Sequence, residues 1–176
     1  MQQDLAWLNS LSAVEAAQEL LQCCGSKRWA KEMADARPYS TLETLFATAN
    51  DIWWSLDQSD WLEAFRSHPK IGEKKAADKV SAQSQQWSGQ EQSGVANASE
   101  ETVSTLADLN ADYEQKFDYI FIICATGKTS DEMLSALRER LQHDPATELP
   151  IAAAEQSKIT ELRLRKMLHP QITQMK

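Results

Sequence analysis

Apolar residues along this chain recur mainly at three- and four-residue intervals, the spacing that lines one face of an α-helix. The first clear block opens at Ser12-Ala13-Val14-Glu15, which offers a hydroxyl for an orphan N–H and an acid three residues on, and it carries Leu20, Leu21, Cys23 and Cys24 before Gly25. Ser26 can cap a second helix through Trp29, Met33 and Ala36, stopped by Pro38, which disfavours helical geometry in Arg37. A third helix starts at about Thr41, with Leu42, Leu45, Phe46, Ala49, Ile52 and Trp53 in phase, and a short fourth starts near Ser59 with Trp61, Leu62 and Phe65 inward. Later helices are expected from Ser88 to about Val95, from Ser99 through Val103, Leu106, Leu109 and Tyr113, from the capped Thr129-x-x-Glu132 through Leu134, Leu137 and Leu141, and from about Thr147 to Leu168.

Two stretches break the pattern. From about Ile71 to Gly89, Gly, Lys, Ser and Gln displace large apolar residues, which predicts an irregular excursion with one short helix; connections this long are usually functional or disordered. The run Tyr119-Ile120-Phe121-Ile122-Ile123-Cys124 is β-branched and aromatic, a strand by propensity, yet no partner strand is evident. An extended or irregular buried segment is expected there. The fold class is therefore all-α: one domain over residues 1–176, a bundle of roughly eight helices with one extended buried segment near 119–125.

Composition narrows the function. Only 5 Gly and 5 Pro stand among 176 residues, which favours helix over turn-dense β architecture. A formal net charge of -8 argues against a nucleic-acid or anionic-membrane surface, while leaving room for a small anionic substrate met by a few local cations. The adjacent Cys23 and Cys24 and the distant Cys124 form no metal-type or redox-type spacing, so buried thiols in a reducing compartment are expected. No basic-then-apolar leader, membrane-length apolar run or peroxisomal ending at Gln174-Met175-Lys176 is visible, and a cytoplasmic protein is expected.

Three constellations can carry chemistry. His68-Pro69-Lys70-Ile71-Gly72 ends a helix: the proline biases His68 toward extended geometry and Gly72 lets the chain turn, so the imidazole can be aimed into a cavity. A histidine serving only the helix C-terminus fits the same residues. Ser88, Glu91 and Gln92 share one side of a helix turn, but Ser-x-x-Glu is also a capping box. Arg163, between Leu162 and Leu164, either reaches inward to an anion or carbonyl or makes a surface salt bridge.

In order, His-Pro-x-Ile-Gly, Ser-x-x-Glu-Gln, Phe121-Ile122-Ile123-Cys124-Ala125 and Leu162-Arg163-Leu164 resemble the OHCU (2-oxo-4-hydroxy-4-carboxy-5-ureidoimidazoline) decarboxylase family. The resemblance extends to Cys23-Cys24-Gly25-Ser26, Ala36-Arg37-Pro38 and Trp61-Leu62-Glu63-Ala64-Phe65; it departs at Ile71-Gly72-Glu73, which bears on loop geometry. It implies an all-α homodimer without metal or organic cofactor that turns OHCU into (S)-allantoin. By motif it implies that His68 and Glu91 are catalytic, and that Pro69, Ser88, Gln92, Ile122, Ile123, Cys124 and Arg163 bind substrate. His68 then handles the proton of the C4 hydroxyl, Glu91 orients the imidazole, Ser88 and Gln92 bond ureido or ring amides, and Arg163 receives an anionic or carbonyl oxygen. Two other classes remain: an acidic helical module docking through some of its 6 tryptophans, and a hydrolase using Cys124.

Overall fold

Side-chain caps set where these helices begin. The computed structural model describes residues 3–71 and 80–168. In chain order its helices are α1 (Leu5–Ser10), α2 (Ala13–Leu21), α3 (Lys27–Asp35), α4 (Leu42–Ser55), α5 (Gln58–Arg66), α6 (Ala82–Glu91), α7 (Glu100–Phe117), α8 (Ser130–Arg140) and α9 (Pro145–Leu168), with a 3₁₀ turn over Ser93–Val95 and no strand among the described residues. The caps read from sequence at Ser12, Ser26 and Thr129, and the helix starts read at Thr41 and Ser99, each accept from the backbone N–H three residues on, and those at Ser12 and Thr129 are complete boxes closed by Glu15 and Glu132. The fold is all-α. The chain falls into two compact units, residues 1–64 with 157–176, and residues 65–156.

In the first unit, Leu8, Leu20, Trp29, Met33, Leu45 and Leu164 are fully buried. Burial of each such side chain contributes about 1.5–3 kcal/mol. Trp29 spans from α3 to α4, its Nε1–H donating to the Ala49 carbonyl at 3.1 Å. The Arg37 guanidinium donates to the carbonyls of Leu8 and Leu11 and, through Nε, of Ala34, which satisfies the C-terminal ends of α1 and α3 with one side chain. Helix α1, capped by Asp4, is absent from the sequence reading because six residues carry too little periodicity.

In the second unit, Ile71, Val95, Leu106, Tyr113, Phe117, Phe121, Ile123, Ala125, Met133, Leu134 and Leu137 form one apolar cluster. Val103, expected on the inward stripe of α7, is exposed. Helix α7 ends at Asp118, in the left-handed region at φ 67°, and its N–H donates to the Glu114 carbonyl at 2.8 Å. The chain then enters residues 120–125, which are neither helix nor strand, with 121–125 buried. The main correction concerns α6. It starts at Ala82, capped by Ser81, so the helix expected from Ser88 has its N-terminus two turns earlier, and Ser88 and Glu91 stand in its C-terminal half. The expected excursion from Ile71 to Gly89 is thus helical from Ala82 onward, while Gly72 and Glu73 lie outside the described residues, as do Gln174, Met175 and Lys176.

Candidate active site

His68 sits just beyond α5, its N–H closing a turn on the Phe65 carbonyl at 3.2 Å. Both His68 and Pro69 are buried. The imidazole Nε2 lies 2.6 Å from Oε1 of Gln156, a fully buried side chain of α9. A histidine serving only as an exposed helix end does not require this placement; an imidazole held by a buried amide has a fixed orientation.

Helix α6 explains the absence of an apolar stripe in its sequence. Its buried positions are Ser84, Trp87, Ser88 and Glu91, so the inward face is largely polar. Since Ser81 is the cap, neither Ser88 nor Glu91 is the capping box that their spacing suggests. A buried carboxylate in the last turn of a helix also opposes the helix dipole, and helix formation does not account for it. Gln92 follows as the C-cap, half-buried, with its N–H on the Ser88 carbonyl at 3.1 Å. The 3₁₀ turn lies tight against the turn before α8: a Cβ on Gly94 would collide with the Lys128 carbonyl.

Ile122, Ile123 and Cys124 are buried in the same unit as His68 and α6. With no neighbouring strand among the described residues, two of their carbonyls are met by side chains: Arg140 Nη1 donates to Ile122 O at 2.6 Å, and Lys128 Nζ to Cys124 O at 2.8 Å. Arg140 is itself fixed. Its Nε and Nη2 each lie 2.6 Å from Glu148 Oε1, the Tyr113 hydroxyl donates to the same oxygen at 2.7 Å, and His143 Nδ1 is 2.9 Å from Glu148 Oε2. Burial pushes the Tyr113 phenol far above its ordinary range. Sequence reasoning missed Arg140, Glu148 and Gln156, since each sits among helix-typical residues and meets its partner only through the fold.

Burial raises the Cys124 thiol, Lys128 lowers it, and the negative charges of Glu155 and Glu91 raise it again. A cation, Lys128, stands near this thiol, but burial outweighs it and the thiol stays protonated, which disfavours the hydrolase. The tryptophans disfavour the docking module, because Trp29, Trp53 and Trp87 are buried and only Trp54 is counted among the exposed large apolar residues.

In the first unit, Arg163 is 2% exposed, which removes the surface salt bridge as its role. Its Nη1 donates to the Gln22 carbonyl at 3.4 Å. The neighbouring Cys24 thiol is pushed up to about 12 by burial, partly offset by hydrogen bonds from Ser26 and Thr160 and by the Arg163 charge. Among the described residues, no group of three or more His, Cys, Asp or Glu side chains is placed to hold a metal ion, and no helix is long and apolar enough to cross a membrane.

Comparison with known proteins finds relatives of this chain in both sequence and structure. The uric acid degradation bifunctional protein TTL of Arabidopsis thaliana is 43% identical over 146 residues, covering 82% of this chain and 45% of that protein, so the chain spans less than half of that relative's length. The 2-oxo-4-hydroxy-4-carboxy-5-ureidoimidazoline decarboxylase of Amia calva is 29% identical over 177 residues, 98% of this chain and 99% of that protein. Among solved structures, OHCU decarboxylase in the presence of (S)-allantoin matches with a TM-score of 0.74 at 43% identity, covering 86% of this chain and 97% of that one. The structure of (S)-allantoin synthase, 20% identical with a TM-score of 0.68 over 94% of this chain and 54% of that one, shares the fold. The family model of OHCU decarboxylase matches residues 9–165, and this chain belongs to that family.

Proposed function

We propose that this chain decarboxylates OHCU to (S)-allantoin in urate breakdown, with no metal or organic cofactor, as a homodimer in the cytoplasm and with residues 1–176 acting as one functional domain. The observation that carries the reading is the 43% identity, over 86% of the chain, to an OHCU decarboxylase whose structure was solved in the presence of (S)-allantoin.

The chemistry suits the side chains at hand. When the bond from C4 to the carboxylate breaks, CO2 leaves and its electron pair passes into the conjugated ring, so the substrate is its own electron sink. The C4 hydroxyl gives up its proton as the carbonyl forms, and two protons are added, one at the ring nitrogen that takes up the electron pair and one at the neighbouring ring carbon that bears the ureido group. His68 is the acid/base group for the hydroxyl proton, and Glu91 supports its charged form. Ser88 and Gln92 hydrogen-bond the ureido or ring amides, and Pro69 and Ile123 shape the wall. Because the carbonyls of Ile122 and Cys124 already accept from Arg140 and Lys128, backbone contacts from this segment to the ring fall to its N–H groups or to second lone pairs. Arg163, a buried cation with a planar fork of donors, receives the substrate's anionic or carbonyl oxygen.

The test is to generate OHCU from urate in place and follow circular dichroism. Formation of (S)-allantoin faster than the spontaneous, racemic decay supports the reading; decay at the spontaneous rate, without optical activity, removes it.

A further inference from the structure

We propose that Gln156 is the positioning residue of His68, holding the ring through an Nε2–H to Oε1 hydrogen bond; this rests on the catalytic reading of His68. The supporting geometry is short and enclosed. Nε2 and Oε1 are 2.6 Å apart, His68 is 7% exposed, and Gln156 is 0% exposed. An amide oxygen only accepts, so at this distance Nε2 must be the donor and carries a proton in the resting protein. A neutral side chain does this without adding a negative charge next to the ring. Its carrier is also rigid: Gln156 lies in the interior of α9, whose backbone bonds fix the direction of the amide far better than a loop does. The neighbouring Glu155 acts on the Cys124 thiol from the same turn, which ties this stretch of α9 to the segment that includes Ile122 and Ile123.

Nitrogen-15 NMR of the imidazoles reads the proposal directly. The chain has 3 histidines, and the His68 signals are assigned by their loss in His68→Asn. Nε2 of His68 is expected to be protonated at neutral pH. If the amide instead turned its NH2 toward the ring, Nε2 would be an acceptor and its shift would be that of a bare nitrogen, which overturns the proposal. Gln156→Leu keeps the volume and removes the acceptor. The expected result is a folded protein with kcat lowered about 10-fold and KM changed much less, because orientation of the acid/base group is lost while substrate contacts remain. Gln156→Glu restores an acceptor oxygen and is expected to return kcat to within a few fold of the parent, with Nε2 still protonated. Equal losses in the Leu and Glu variants would show that Gln156 serves packing alone, and an unchanged kcat in a folded Gln156→Leu protein would also sink the idea. Should Gln156→Leu fail to fold, the Glu variant and the parent NMR spectrum decide. Absence of decarboxylation in the parent would overturn the function, whereas the protonation state of Nε2 would still report on the bond.

Discussion

Replacing His68 by Asn keeps a polar side chain in a buried position beside Gln156 and removes a group that titrates near neutrality. The expected outcome is a folded protein with kcat lowered by about 10²–10⁴-fold, measured by the dichroism assay. Turnover close to the parent would return His68 to a helix-end role. Glu91→Gln is more discriminating now that Ser81 is known to cap α6. No cap is lost, and the amide removes a charge that opposes the helix dipole, a term of about 0.3–1 kcal/mol in favour of the variant. A thermal midpoint within a few degrees of the parent and a kcat lower by about 10²-fold are expected, while an unchanged kcat and kcat/KM would take Glu91 off the catalytic list. His68 is legible in the sequence because proline follows it and restricts its backbone. Gln156 is not, because its partner lies 88 residues away and glutamine in a helix carries no local mark.

Residues 120–125 depend on two neighbouring segments for their hydrogen bonds. In Arg140→Met the Ile122 carbonyl loses its donor, and the fully buried Glu148 loses its principal cation. Breaking a buried pair from one side costs about 3–5 kcal/mol, expected as a lower urea midpoint with an unchanged slope. The double variant Arg140→Met, Glu148→Leu should recover part of that loss, since it removes the stranded charge as well. A double variant no better than the single would mean that the Ile122 contact dominates. The same scale shows what the hydrophobic pattern can convey. Helices with an apolar inner face and a hydroxyl cap, such as α2, α3 and α8, are readable from residues alone. Helix α6 is not, because Ser84, Ser88 and Glu91 face inward and leave Trp87 as its one large apolar residue. A polar inner face erases the periodicity that marks a helix, and here it belongs to the stretch that the family motif singles out. The motif Ser-x-x-Glu misleads for a related reason: its three-residue spacing is the same in a cap and in a helix interior.

Across the whole molecule, buried acids with raised pKa values set an alkaline limit. Burial moves the Cys24 thiol from 9.0 and the Tyr39 phenol from 10.0, each up to about 12, and Tyr113 shifts in the same direction. Their folded pKa values exceed the unfolded ones, so their contribution to stability is complete below pH 9 and is lost as the pH rises toward 12. The urea midpoint should therefore fall between pH 9 and 12, and more gently in Cys24→Ala when measured against its own neutral value. A midpoint independent of pH over that range would contradict these shifts. The carbonyls of Ile122 and Cys124, satisfied by side chains instead of a neighbouring strand, have a consequence for how the molecule fails. Tyr119 to Ala125 is uncharged, free of proline and rich in β-branched and aromatic residues, the composition of a cross-β spine. While Arg140 and Lys128 occupy its carbonyls, it cannot add to a like segment of another copy. Once the protein is warmed past its midpoint, this stretch is expected to seed fibrillar aggregates, detectable as a hydrogen-exchange-protected core over 119–125. A lysine at position 120, the half-buried Ile120→Lys, should delay that aggregation as a gatekeeper charge, and aggregates protected elsewhere would exonerate the segment.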